Sequence, residues 1–110
     1  MYRLYLSGPI TKDPEYKRKF DSAREQLEAK GYDVVNPAEL TKMIGGSFTY
    51  NEIMDIDLDI LSRCDVLVQL PSWEESRGAN IEYGYAKAQG LIILSLEALP
   101  QGGGTLRPKN

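Results

Sequence analysis

Asp57, Ser76 and Glu82 have the types and the spacing to do chemistry. Glu82 closes the segment Leu70-Pro71-Ser72-Trp73-Glu74-Glu75-Ser76-Arg77-Gly78-Ala79-Asn80-Ile81-Glu82, which leaves the apolar run Val66-Leu67-Val68 and enters a helical pattern. The pattern predicts a loop between a buried strand and a helix, with Glu82 on the second helical turn. Side chains lean toward a helix N-terminus, so this carboxylate points back over Gly78 and Ala79, whose small size leaves a hollow beside the acid. At about 100° per residue, Glu82 shares a face with Ala79, Tyr85 and Ala86, and Lys87 is turned away from it. A half-solvated carboxylate stabilised by the helix dipole fits the same pattern without any function. The chain has no histidine, so acid–base work falls to carboxylates, tyrosines or lysines.

The second acid belongs to another element. Thr49 followed by Glu52 is a capping-box pattern, and the helix it starts should run to about Arg63. Projection places Ile53, Met54, Ile56, Leu58, Ile60 and Leu61 on one broad side, with Asp55 and Asp59 opposite. Asp57 falls in the middle of the apolar side. An ionised carboxylate is too costly to bury alone, so Asp57 either pairs, caps a loop backbone, or faces a cleft where a substrate supplies its partner. Asp65 precedes the strand at its far end and reads as a local cap.

The 110 residues, 42% hydrophobic and 26% charged, suit one soluble domain with a single modest core. The formal charge is -3 and the densest basic run is Lys17-Arg18-Lys19, so neither nucleic acid nor a membrane surface is the expected partner, and a small molecule is. The lone Cys64 cannot form an intramolecular disulfide, which suits a reducing compartment. Met1–Leu6 is too short for a signal peptide and Leu91–Leu94 too short for a membrane span, so a cytoplasmic location is expected. One cysteine and no histidine argue against structural zinc, and no cofactor is expected.

In chain order, Tyr2–Leu6 reads as a strand ended by Ser7-Gly8-Pro9. Asp13 as cap and Pro14 as first residue open a helix through Tyr16, Phe20, Ala23 and Leu27, ended by Lys30-Gly31. A second strand, Tyr32–Val35, is closed by Asn36-Pro37. Residues 38–48, with Gly45-Gly46, read as a long mobile excursion, either a lid or an ordinary surface loop. After the Glu82 helix, Gly90 is a stop and Leu91–Ser95 a fourth strand. Continuous apolar strands alternating with helices predict an α/β fold, a flavodoxin/Rossmann-like doubly wound parallel sheet of four to five strands. Ligands bind such sheets at the carboxyl ends of strands, where strand order reverses. Residues 1–98 form the expected domain, and 99–110, with Gly102-Gly103-Gly104, a flexible tail or an arm to a partner subunit.

Tyr5-Leu6-Ser7-Gly8-Pro9-Ile10, then Asp57, then Ser76-x-Gly78-x-x-x-Glu82 together resemble the nucleoside 2-deoxyribosyltransferase superfamily, which includes deoxynucleoside 5′-monophosphate N-glycosidases. Trp73-Glu74-x-Ser76-x-Gly78-Ala79-x-x-Glu82 is similar to a short, DUF4406-like branch of it, over residues 2–95. The resemblance implies that Glu82 is the nucleophile attacking the anomeric carbon and that Asp57 contacts the nucleoside and assists the departing base. It implies further that Ser76 contacts a 5′-phosphate and that Tyr5 and Gly8 line the sugar or phosphate pocket. Pro9 departs from the pattern, standing where the monophosphate hydrolases carry a second phosphate-binding serine, and Ser7 or Arg77 is the candidate to compensate. Those hydrolases also borrow a serine from the partner chain, and no equivalent is evident here.

The residue types suit that chemistry. Cleaving an N-glycosidic bond builds oxocarbenium character that a nearby carboxylate stabilises or captures as an ester. Asp57 then donates a proton to the base or holds it by hydrogen bonds. Trp73 is a candidate to stack on the base or a packing anchor. Arg77 is a candidate phosphate grip or a solvated arginine. The expectation is cleavage or transfer at the N-glycosidic bond of a nucleoside or nucleoside 5′-monophosphate by a homodimer or higher homo-oligomer. The rivals are a nucleotide-binding sensor or effector module without turnover, and an oligomerising protein that reuses the fold.

Overall fold

The computed structural model describes residues 2–99. Four strands, β1 (Arg3–Ser7), β2 (Asp33–Val35), β3 (Val66–Gln69) and β4 (Ile92–Ser95), form one parallel sheet in the order β2-β1-β3-β4. Four helices connect or follow them: α1 (Tyr16–Ala29), α2 (Pro37–Ile44), α3 (Tyr50–Leu61) and α4 (Arg77–Gln89). This is the doubly wound α/β architecture expected from the sequence, and its order reverses between β1 and β3. Ser7 pairs in register with Gln69 at the carboxyl end of that seam.

Strand parity decides what each sheet face buries. Leu4, Leu6, Val66 and Val68 pack with Phe20, Ala23 and Leu27 of α1. Tyr5 and Leu67 face the other way, onto Leu61 of α3 and Ala86 of α4. Side chains two apart share a face, so Tyr5 and Ser7 both look toward α3 and α4. The central strands β1 and β3 are covered on both faces, which is why Val66-Leu67-Val68 reads as an unbroken apolar run. Leu99 packs in the α1-side core, one residue beyond the expected domain boundary; residues 100–110 of the predicted tail lie outside the described residues.

Two local expectations are corrected. Residues 38–48 are no loop: α2 occupies most of them, followed by a 3-10 turn at Gly45–Ser47. Asn36 Oδ1 accepts from the Ala38 amide at 3.1 Å and Pro37 supplies a preset φ, so the dipeptide that ends β2 also starts a helix. Asp13 does not cap α1. Its Oδ1 accepts from the Glu15 amide at 2.9 Å in a turn and its Oδ2 from Lys19 Nζ at 2.8 Å, and the helix begins only at Tyr16. The capping box at Thr49 and Glu52 is present as predicted, and α3 ends at Leu61.

The β1–β3 seam sets a steric constraint at the site. A Cβ added at Gly8 would stand 2.9 Å from Leu70 Cβ, a backbone-proximal atom with little freedom to yield. Gly8→Ala should destabilise the protein by about 1–3 kcal/mol through overpacking, read as a lower urea midpoint. An unchanged midpoint would show that the seam relaxes freely.

Candidate active site

Glu82 is 6% exposed on α4, and both its carboxylate oxygens accept hydrogen bonds from β1. Tyr5 Oη donates to Oε2 at 2.5 Å and Ser7 Oγ to Oε1 at 2.7 Å. Tyr5 and Ser7 are themselves 0% and 1% exposed, so they hold the acid from behind and do not form the cleft wall. Burial raises the Glu82 pKa to about 7, with the Asp57 charge adding to the rise; the two hydroxyl bonds oppose it. The Tyr5 phenol is pushed well above its ordinary value, first by burial and then by the charges of Glu82 and Asp57, so it remains a donor.

Asp57 arrives from α3 and is equally buried, at 6% exposed. Its carboxylate has no hydrogen-bond partner among the described residues, and burial raises its pKa to about 6. Neither an ion pair nor a backbone cap satisfies it among the described residues, and it lies instead in the wall of a cleft. Asp57 and Glu82 line one cleft of about 310 Å³ together with Gly8, Thr41, Ile53, Met54, Ser76 and Gly78. That volume is at the low end of the roughly 300–1,000 Å³ typical of small-molecule sites.

Local sequence explains the rest of the wall. Tyr50, Ile53, Met54 and Asp57 recur at i, i+3, i+4 and i+7 on α3, so they present one stripe to the cleft. Ser76 caps α4, its Oγ accepting from the Ala79 amide at 3.2 Å, and its position in the wall places the helix start at the cleft mouth. A Cβ at Gly78 would meet Met54 Cε and Tyr50 Oη at 3.2 Å each, so glycine lets α4 approach α3. Arg77 stands at the mouth with its guanidinium 5.0 Å from the centre of the Tyr50 ring. Trp73 does not line the cleft; its ring packs on Tyr83 at 5.0 Å, the anchoring alternative.

The sequence missed Thr41, Tyr50, Ile53 and Met54 as cleft residues. The stripe on α3 held the signal for the last three, because it is the face that carries Asp57. Thr41 was hidden by the misreading of α2.

The doubly wound sheet thus carries two buried acids and a helix start at its switch point. The chain belongs to one family in particular, that described as Domain of unknown function (DUF4406), whose model matches residues 2–95. Among solved structures it is similar to a 2-desoxiribosyltransferase from Leishmania mexicana, with a TM-score of 0.66 and 21% identity over 86% of this chain and 63% of that one. It is also similar to the Clostridium botulinum CMP N-glycosidase BcmB, with a TM-score of 0.61 and 25% identity over 84% of this chain and 69% of the other. The chain thus spans under two thirds of the length of the first of these enzymes. No curated protein matches it.

The raised carboxyl pKa values have a thermodynamic consequence. Glu82 moves from an ordinary 4.5 in the unfolded chain to about 7, so above pH 4.5 the folded state retains a proton that the unfolded chain has lost. Stability therefore falls as pH rises toward 7 and levels off above it. Glu82→Gln should remove this contribution, since either hydroxyl can turn to accept from the amide. Between about pH 5 and 8 the unfolding free energy of wild type should drop by about 2 kcal/mol more than that of the variant. Parallel profiles from urea titrations would contradict a raised Glu82 pKa. The smaller slope from Asp57 remains in both proteins.

Proposed function

We propose that the protein cleaves or transfers at the N-glycosidic bond of a nucleoside or nucleotide, with Glu82 as nucleophile. The observation that carries this is a buried carboxylate gripped on both oxygens by Tyr5 and Ser7 and sharing a cleft of about 310 Å³ with a second acid that has no hydrogen-bond partner among the described residues. A Glu82 oxygen forms an ester with the anomeric carbon as the carbon–nitrogen bond breaks. The bonding pair leaves with the base nitrogen, which Asp57 protonates or stabilises by a hydrogen bond. Water or a second base then displaces the sugar from Glu82. The CMP N-glycosidase and the desoxiribosyltransferase that share the fold represent these two outcomes.

Tyr5 and Ser7 are positioning residues in this scheme. Each carboxylate oxygen keeps a lone pair free of them, and the two bonds fix the orientation of the carboxylate plane. Asp57 has the lower pKa in the empty cleft, about 6 against about 7. Seating a base over it excludes its remaining water and favours the protonated form, as the donor role requires.

The test is base release by purified protein from a panel of nucleosides and nucleotides, followed by chromatography. Wild type should release base from at least one member, and Glu82→Gln should lose about 10³-fold or more, as expected when a group acting in the transition state is removed. Retained binding by that variant, seen by calorimetry, separates lost chemistry from lost structure. Binding without release by wild type would favour a non-catalytic nucleotide module.

A pH profile tests the pairing of the acids. With one acid needed ionised and the other protonated, kcat/KM should be bell-shaped, with apparent limbs near the 6 and 7 of the coupled pair. A flat profile from pH 5 to 8 would exclude one of the two acids from the rate-limiting step.

A further inference from the structure

Beside the acid cleft, and sharing Tyr50, Ser76 and Gly78 with it as wall residues, lies a second compartment of about 340 Å³, as large as the first. Its outer wall carries Lys12, Arg77 and Glu75. Lys12 makes no hydrogen bond or ion pair among the described residues, and the Tyr50 ring is the one partner of the Arg77 guanidinium. Among the other described cations, Arg3, Arg18, Lys19, Arg24 and Arg63 each lie within 4 Å of a carboxylate, whereas Lys17, Lys30, Lys42 and Lys87 do not. In the compartment, two cations stay unpaired although Glu75 shares the wall with them.

The inner cleft orients what enters the outer one. A sugar over Glu82 with its base toward Asp57 directs its remaining substituent along α4, past Ser76 and Gly78. A single phosphate would fill a small part of the space beyond. We propose that the outer compartment holds a pyrophosphate group, Lys12 and Arg77 binding its charge, so that the substrate class is a nucleoside carrying a 5′-pyrophosphate. This rests on the reading of the inner cleft as a nucleoside site. The Arg77 and Gly78 amides at the start of α4 lie on the same path, while the Ala79 amide is taken by Ser76 Oγ. Glu75 repels phosphate and accepts hydrogen bonds from hydroxyls, so it suits the far end of the ligand, where a second sugar would lie.

Calorimetry with Glu82→Gln, the variant expected to lose turnover, tests the proposal against four ligands per base: nucleoside, 5′-monophosphate, 5′-diphosphate and dinucleoside 5′,5′-pyrophosphate. The diphosphate should bind about tenfold tighter than the monophosphate, the scale of one added charge-assisted contact. That ratio should fall toward one when Lys12→Ala and Arg77→Ala are added, and should shrink as salt rises. A dinucleoside arm tighter than the diphosphate, and weakened by Glu75→Gln, identifies a dinucleotide; equal affinity identifies a free nucleotide. Equal binding of mono- and diphosphate, or a preference that survives loss of both cations, would overturn the proposal. Base release by wild type is scored separately. An affinity step without release defeats the glycosidic reading and leaves the outer site standing; release without the step does the reverse.

Discussion

The structure depends on burying one carboxylate, Glu82, in a cleft wall that leaves it only 6% exposed to water. An ionised acid in that position is tolerated only if the protein supplies hydrogen bonds, and here they come from the other end of the chain, through Tyr5 and Ser7 on β1. This requirement explains several features that otherwise look unrelated. The two donors must be two residues apart to share a face of β1. The helix carrying the acid must lie over the strand at the seam where sheet order reverses. Within the first turn of that helix, Gly78 leaves room for Met54 and Tyr50 of α3, and Ala79 is buried beside it.

Asp57 is handled differently. Among the described residues it has no hydrogen bond, only proximity to Glu82 and an apolar stripe on α3. A group left in that condition lowers stability unless a ligand completes it, and such local conflicts concentrate at sites where function outweighs stability. Two acids that differ in their support therefore differ in their suitability for two roles. The gripped one keeps its orientation and suits attack, and the bare one is free to exchange a proton or accept a hydrogen bond.

Much of this was legible in the sequence, for physical reasons. Helix periodicity placed Asp57 on an apolar face and Glu82 on an inward one, and capping chemistry located the start of α3 to the residue. Continuous apolar runs gave a parallel sheet covered on both sides. What stayed hidden depended on contacts distant in sequence or on signals with two meanings. Nothing local ties Tyr5 to Glu82, since their pairing arises from the crossover of the sheet. Asn36-Pro37 ends a strand and starts a helix with the same two residues, and reading only the first meaning turned α2 into a loop. The arrangement of Trp73 on Tyr83 likewise follows from how α4 packs back on its preceding turn.

The central claim is that the Glu82 carboxylate itself forms the bond to the sugar. Its most direct test is to incubate the protein with a 2′-fluoro-arabino nucleotide, whose electron-poor sugar slows breakdown of an ester, and to map any adduct by peptide mass spectrometry. The account predicts one added glycosyl mass on the peptide containing Glu82, with loss of the free base in equal amount. Base release with no adduct, or an adduct on Asp57, would contradict it.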